Sequence, residues 1–200
     1  AELFTGNTLI VVSCLEGSSK WSGLLKNWLF VYIGNFIGSM IVVIFILLSG
    51  QFNFSSGMLG GYTIKTAVYK VSLSFIGAFF MGVLGNWLVC MAVWMASAAR
   101  DITGKLLAIF FPIWLFVTSG FEHSIANMYY VPAGILAKSN QAWVDAALSM
   151  GVAARDVNAL NWGSFFLKNL VPVTLGNIIG GTIFVGTMYW LSYLYKGRKA

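Results

Sequence analysis

Residues 119–124 read Ser-Gly-Phe-Glu-His-Ser and interrupt an apolar stretch of the chain. The apolar runs on either side, residues 106–118 and 125–137, each supply only about half of the roughly 20 residues that a helix needs to cross a bilayer. Two half-spans with a polar, glycine-containing break between them indicate one discontinuous helix. Irregular backbone at membrane depth is tolerated only where it faces protein or a water-filled cavity, so the pattern predicts a break beside such a cavity.

The composition also indicates a membrane protein. Hydrophobic residues make up 58% of the 200 residues, charged residues make up 9%, and the mean hydropathy is +0.81. A soluble domain carries roughly 25% charged residues, so this chain needs lipid or other membrane helices around it. The net charge of +6 comes from basic residues that stand singly at the ends of apolar runs, which predicts no nucleic-acid partner.

The other apolar runs predict the remaining membrane helices. Full spans are expected at residues 28–48, 71–99 and 165–195, and a further half-span at residues 8–15. A polar link is expected over residues 49–65, and a looser segment follows residue 137. The two cysteines, Cys14 and Cys90, lie far apart without metal-ligand spacing, so we interpret them as small core residues and predict neither a metal site nor a cofactor.

One short pattern occurs twice, as Lys-Asn-x6-Gly-Asn-x-Ile-Gly at residues 26–38 and again at residues 168–180. The long span and the broken span lie between the copies, so the second copy crosses the membrane in the opposite direction. This arrangement predicts an inverted repeat of three-span units, which many transport proteins share. The alternative is a coincidence of two Gly-x3-Gly packing motifs.

The repeat predicts one channel domain over residues 1–200. Residues 1–49 are the remainder of the first repeat, and residues 66–195 form the second. A complete span and the first half of a broken one are then expected before Ala1.

The basic residues give an expected orientation. If the spans alternate, one side of the membrane carries most of them, and the C-terminus is then cytoplasmic. The residues on that side are Lys20, Lys26, Arg100, Lys105, Lys196, Arg198 and Lys199.

His123 is the only histidine in the sequence, and it lies in the break of the discontinuous helix. An ionisable group at membrane depth is costly and therefore indicates function. The alternative is a neutral imidazole that packs the loop through hydrogen bonds. An imidazole can donate a hydrogen bond and a proton to an anion, and the resulting neutral acid crosses an apolar constriction at lower cost.

Three residues, Leu3, Phe4 and Thr5, occupy the matching break of the first repeat. By pseudo-symmetry they face the His123 break across the pore, where the Thr5 hydroxyl can hydrogen-bond to an anion and to His123. Phe116 lies about two turns before His123 and can narrow the path, although a phenylalanine is more often a packing residue.

Four further polar residues are candidates for the same path. Glu122 can satisfy backbone N–H groups at the start of a half-helix, a structural role that we favour over a pore role. Lys70, at the head of the 71–99 span, either extends to the interface or supplies a positive potential that attracts anions. Asn86 and Asn177 lie within spans and can bond between helices or line the pore.

Two strings resemble the formate/nitrite transporter family: Glu-Leu-Phe-Thr-Gly-Asn at residues 2–7 and Ser-Gly-Phe-Glu-His-Ser-Ile-Ala-Asn-Met at residues 119–128. Shorter strings at residues 26–28, 34–35 and 172–180 support the resemblance, which covers essentially the whole chain. It implies an all-α, aquaporin-like integral membrane protein with six spans per subunit, surrounded by lipid in the cell inner membrane. It further implies a homopentamer with one pore per subunit that conducts formate, nitrite, hydrosulfide or related small monovalent anions.

The resemblance also implies roles for individual residues. His123 corresponds to the central pore histidine, and Thr5 is its partner on the opposite loop. Constriction residues are Leu3, Phe4 and Phe116, and residues of the polar path are Lys70, Asn86 and Asn177. The formate-channel pattern has further histidines near the lysine, which are absent around Lys70, so the sequence favours hydrosulfide over formate and nitrite.

Other function classes fit less well. A membrane enzyme needs paired carboxylates, a nucleophile with its base or metal ligands, and only Glu122 with His123 offers anything comparable, so we predict that the protein is not an enzyme. A neutral small-solute channel of aquaporin-like architecture remains the alternative, because fold alone does not decide what permeates. The chain lacks the paired Asn-Pro-Ala half-helix starts of such channels.

Overall fold

The computed structural model describes residues 2–195, and these residues form helices and connecting turns without any strand. The all-α class expected from the sequence is therefore confirmed. The helices, in chain order, are α1 Phe4–Leu15, α2 Trp21–Leu48, α3 Met58–Ser72, α4 Phe75–Ala98, α5 Ile102–Thr118, α6 Ser124–Ala137, α7 Gln141–Ser149, α8 Ala154–Ala159 and α9 Trp162–Leu194.

Three of these helices, α2, α4 and α9, are long and apolar enough to cross a membrane. Large apolar side chains on them are exposed, including Phe30, Phe45 and Ile76. In water such a surface is unfavourable, whereas lipid or neighbouring membrane helices solvate it. The shorter α1 and α5 are also apolar, as two of the three predicted half-spans require.

The predicted break in the discontinuous helix is present. Helix α5 ends at Thr118, Gly120 follows with φ +66°, and α6 begins at Ser124. A positive φ is unfavourable for residues with a Cβ, so Gly120 lets the chain leave the helix here.

The region between α2 and α4 differs from the prediction. The polar link expected over residues 49–65 becomes helical at Met58, and the span expected over residues 71–99 begins only at Phe75. Small residues explain α3, because its Gly60 packs against Trp143 at a distance that a side chain would prevent. Ser74 starts α4 by accepting a hydrogen bond from the Gly77 amide at 3.0 Å. Lys70 consequently lies in the last turn of α3 and not at the head of α4.

Two further predictions need correction. The looser segment after residue 137 contains α7 and α8, and the side chain of Asn140 caps α7 by accepting from the Ala142 amide at 3.0 Å. In the first repeat, α1 begins at Phe4, so Phe4 and Thr5 lie in its first turn and only Leu3 is extended.

The last helix is longer than its predicted range of residues 165–195 at the N-terminal end. Asn161 and Ser164 form a capping box that starts it, with the Ser164 amide 3.0 Å from Asn161 Oδ1. Within α9, three stretches have π-helical hydrogen bonding: Phe165–Leu170, Gly180–Thr187 and Trp190–Leu194. The basic residues Lys196, Arg198 and Lys199, which carry part of the predicted orientation, lie outside the described residues.

The chain forms two compact units. The first unit contains the described residues up to Gly34, then Phe79–His123 and the described residues from Val173. In its core, Gly180 of α9 packs against the backbone of Val83 in α4.

The second unit contains Asn35–Ala78 and Ser124–Pro172. Its core is formed by α3 with α6 and α7. Gly134 of α6 lies directly against Ala67 of α3, a separation that only a glycine allows.

Candidate functional site

Within the first unit, a side-chain hydrogen bond links the start of α1 to the break that follows α5. Thr5 Oγ1 lies 2.8 Å from His123 Nε2. Thr5 is completely buried and His123 is 6% exposed. Two residues that are 118 positions apart in sequence therefore meet at a site largely closed to bulk solvent.

The direction of this hydrogen bond depends on the protonation of the ring. A hydroxyl can donate or accept, whereas the neutral imidazole has one donor and one acceptor nitrogen, and the imidazolium has two donors. The Thr5 hydroxyl can thus remain bonded to His123 in either charge state by rotating about its C–O bond. The pair is suited to a histidine that gains and loses a proton without losing its partner.

Aromatic rings lie beside His123 and around Phe4, the residue that precedes Thr5. The ring centroid of Phe116 lies 5.7 Å from that of His123. The buried Phe4 ring makes edge contacts with Tyr32 at 4.9 Å and with Trp28 at 5.8 Å between centroids. Leu3 is 42% exposed.

Two buried asparagines connect the backbone around Thr5 with the backbone around His123. Asn86 Nδ2 donates to the carbonyl of Thr5 at 3.1 Å and to that of Asn177 at 2.6 Å. Asn177 Nδ2 in turn donates to the carbonyls of Gly82 at 2.7 Å and Glu122 at 3.1 Å. Both side chains are fully buried, so their bonds satisfy carbonyls that would otherwise be costly to bury.

Glu122 is fully buried beside the histidine. Its amide donates to the carbonyl of Met81 at 3.2 Å, and its carbonyl is the acceptor for Asn177. A Cβ on Gly85 would lie 2.5 Å from the Glu122 carbonyl oxygen, so α4 must present a glycine here. These contacts hold the backbone of the break in place.

Lys70 belongs to the second unit. Its ammonium nitrogen lies 5.4 Å from the ring centroid of Tyr130, within the range of a cation–π interaction. Its carbonyl accepts from Asn169 Nδ2 at 2.9 Å, and Asn169 Oδ1 accepts from Asn127 at 2.7 Å. The end of α3 is thereby tied to α6 and α9.

The first unit also contains polar residues that sequence reasoning missed. Both cysteines are buried, but Cys90 Sγ also lies within hydrogen-bond distance of Thr8 Oγ1, at 3.2 Å. The spacing offered a signal, because Thr5 and Thr8 are three residues apart and Asn86 and Cys90 are four apart, which places each pair on one helix face. Within residues 2–195 no group of three His, Cys, Asp or Glu side chains could hold a metal ion.

The sequence matches a known family of transport proteins. The sequence model of the family described as formate/nitrite transporter matches residues 1–191. The formate channel FocA of Escherichia coli strain K12 is 42% identical over 197 residues, which cover 97% of this chain and 68% of that protein. The formate channel FocA of Haemophilus influenzae is 39% identical over 189 residues, which cover 93% of this chain and 65% of that protein.

Solved structures agree with the sequence matches. A pentameric formate channel with formate bound superposes with a TM-score of 0.82 at 40% identity, covering 97% of this chain and 76% of the other. An FNT family ion channel superposes with a TM-score of 0.75 at 29% identity, covering 96% of this chain and 69% of the other.

Proposed function

This chain belongs to the formate/nitrite transporter family, and we propose that it conducts small monovalent anions across a membrane through a pore with His123 at its centre. The relatives are channels and transporters and not enzymes, so the function is transport without chemical conversion. The observation that carries the proposal is the buried hydrogen bond between Thr5, in the first turn of α1, and His123, in the break that follows α5.

The chemistry of this pair explains how an anion can pass an apolar region. A bare charge is costly in a low-dielectric environment, whereas a weak acid that takes a proton from the imidazole is neutral. His123 donates a hydrogen bond or a proton to the anion, and Thr5 keeps the ring oriented. The acid then releases its proton on the far side, and the imidazole is reprotonated from water.

The other residues support this passage. The apolar side chains of Leu3, Phe4 and Phe116 narrow the path, while Asn86 and Asn177 supply polar groups near it. Lys70 adds a positive potential that attracts anions towards the pore. Glu122 acts mainly by stabilising the break, in keeping with the hydrogen bonds of its backbone.

Formate is the first anion to test, because two relatives that are 42% and 39% identical to this chain are named formate channels. Nitrite is included through the family description. Hydrosulfide stays a prediction that rests on the absence of further histidines near Lys70. The substrate panel below separates the three.

We further infer a homopentamer with one pore per subunit, supported by the pentameric relative. Each subunit inserts in the inner membrane with its C-terminus on the cytoplasmic side. The whole chain then acts as one channel domain in which residues 1–49 and 66–195 belong to two inverted repeats. The order of helices supports this, since the half-length α1 precedes the full span α2, and the half-length α6 precedes the full span α9 with the short α7 and α8 between them.

The decisive experiment measures flux into proteoliposomes for formate, nitrite, hydrosulfide, sulfate and glycerol. We expect the monovalent anions to pass and sulfate to be excluded. His123→Phe should lower formate flux about tenfold or more, since a hydrogen bond to a charged group is worth about 1.5–3 kcal/mol. It should also flatten the pH dependence between about pH 5 and 8, the range in which an imidazole ordinarily titrates.

Thr182→Val is the matched control, because Thr182 Oγ1 donates to the carbonyl of Ile178 one turn earlier in its own helix, at 2.6 Å. Unchanged flux in His123→Phe at every pH would disprove the role of the histidine. Passage of glycerol with exclusion of all the anions would identify a neutral-solute channel instead.

A further inference from the structure

The backbone carbonyl of Thr5 accepts hydrogen bonds from three side chains, two of which have no part in the proposed pore. Thr8 Oγ1 lies 2.7 Å from this carbonyl oxygen, Asn86 Nδ2 lies 3.1 Å from it and Cys90 Sγ lies 3.3 Å from it. All three side chains are fully buried. Thr5, whose hydroxyl contacts His123, is therefore also fixed through hydrogen bonds to its backbone carbonyl.

The polar hydrogens of Asn86, Thr8 and Cys90 can all be assigned to acceptors in this arrangement. The Asn86 amide has two hydrogens for three acceptors, so one serves the carbonyl of Asn177 at 2.6 Å and the other is shared. The shared hydrogen lies between the Thr5 carbonyl and Thr8 Oγ1, which is 3.2 Å from Asn86 Nδ2. The Thr8 hydroxyl thus accepts from Asn86 and donates to Thr5, while the Cys90 thiol contacts both.

Gly181 packs tightly against the three side chains that bond to the Thr5 carbonyl. A Cβ at this position would lie 2.6 Å from Asn86 Nδ2 and 2.8 Å from Cys90 Sγ, and it would collide with Thr8 Oγ1 as well. The backbone of helix α9 at Gly181 is therefore in direct contact with these polar side chains, with space only for the hydrogen atoms of glycine. Water has no room to replace a lost hydrogen-bond partner in such a contact.

The same network reaches His123 from the other direction. Asn86 bonds to the carbonyl of Asn177, and Asn177 bonds to the carbonyl of Glu122, the residue that precedes His123. The positions of Thr5 and His123 are therefore set by one connected set of buried hydrogen bonds. A shift at the Thr5 carbonyl changes the separation between Thr5 Oγ1 and His123 Nε2.

We propose that Thr8 and Cys90 are positioning residues that hold the Thr5 main chain and thereby set the hydrogen bond between Thr5 and His123. The inference rests on the proposed function, since it assigns these residues to the orientation of the pore histidine. Neither residue contacts the permeating anion. They act only through Thr5.

The alternative is that both residues merely fill space. Thr8→Val tests this directly, because valine keeps the branched shape of threonine and replaces only its hydroxyl with a methyl group. A packing role is then preserved, whereas the positioning role is lost. Thr8→Ser makes the opposite change, since it keeps the hydroxyl and removes the methyl group.

The experiment uses the assembled protein in proteoliposomes with two readouts, the pH profile of formate flux and the nitrogen resonances of isotope-labelled histidine. The His123 resonance is assigned by its absence from His123→Phe. We expect Thr8→Val to lower formate flux at least about fivefold, the effect of losing a single buried hydrogen bond, because the hydroxyl bonds to both Thr5 and Asn86. It should also change the pH profile and move the His123 resonance, while Thr8→Ser restores both and Thr182→Val alters neither.

Cys90→Ala is the second variant and should have the same kind of effect on both readouts, with Cys90→Ser as its partial rescue. If Thr8→Val does not assemble, Cys90→Ala decides the question. A pH profile and a His123 resonance that stay unchanged in the assembled variants overturn the proposal. Flux that is independent of His123 would refute the pore role alone, because the resonance still reports whether Thr8 orients the ring.

Discussion

The two copies of the Lys-Asn-x6-Gly-Asn-x-Ile-Gly pattern have the same spacing and different surroundings. The copy in α9, residues 168–180, places Gly176 and Gly180 against the carbonyls of Phe79 and Val83 in α4. The copy in α2, residues 26–38, is mostly exposed, and a Cβ on either of its glycines would meet no described atom within 4 Å.

The asparagines of the two copies differ in the same way. Asn177 is fully buried and bonds to the carbonyl of Glu122 beside the site, whereas Asn35 is half-buried. A repeated pattern thus specifies a helix with a face suited to close packing. Whether that face becomes part of a site depends on the neighbouring helices, which the pattern does not contain.

The largest expected contrast is between leucine substitutions at the second glycine of each copy. Gly180→Leu forces a side chain into the backbone of Val83, which cannot move aside, so overpacking should cost at least about 1–3 kcal/mol. Gly38→Leu meets no described atom and should change stability far less. Thermal unfolding and size-exclusion chromatography in detergent measure the stability and assembly of both variants. Equal losses of stability would mean that the first copy packs against residues beyond 2–195 or against another subunit.

A smaller contrast is expected for the asparagines. Asn177→Leu leaves the buried carbonyls of Gly82 and Glu122 without this donor, at a cost of about 1–3 kcal/mol for each. Asn35→Leu should lower the free energy of unfolding by less, because Asn35 is half-buried and the polar groups around it can find other hydrogen-bond partners. The melting temperature and formate flux of the two variants test this, and a greater loss in Asn35→Leu would contradict the assignment of the network to the second copy.

The smallest effect, and the same one in both copies, is expected for the lysines. Lys26 and Lys168 are both exposed, so alanine at either position should change stability by no more than about 0.5 kcal/mol. Chemical denaturation of each variant provides the measurement. A large change at only one of the two lysines would show that the copies differ on their exposed faces as well.

The sequence predicted the features that depend on local chemistry. The break before Ser124 follows from two half-length apolar runs and from Gly120, whose conformation is available to glycine. The meeting of Thr5 with His123 was expected from the repeat, which relates positions far apart in sequence. The first inference needs only the bilayer thickness and the preferences of the backbone, and the second needs the internal repeat.

The features that depend on packing could not be read from the sequence. Helix α3 contains Gly60 and Gly61, which have low helix propensity, and it is stabilised by contacts with Trp143 and Ala146 that only the folded chain provides. The polar contacts of Cys90 were missed as well. Its spacing from Asn86 places the thiol on a polar helix face, but only the folded chain shows which groups that face contacts.

The length of α2 has a consequence for the surrounding lipid. Residues 28–48, taken perpendicular to the bilayer, cross a hydrocarbon layer of roughly 30 Å, so the first two turns of α2 project about 10 Å beyond it. These turns carry the exposed ring of Trp21 and the ammonium group of Lys26 at the depth of the headgroups. A change of a few ångströms in acyl-chain thickness therefore alters the hydration of this end of the helix before it disturbs the helices around the histidine.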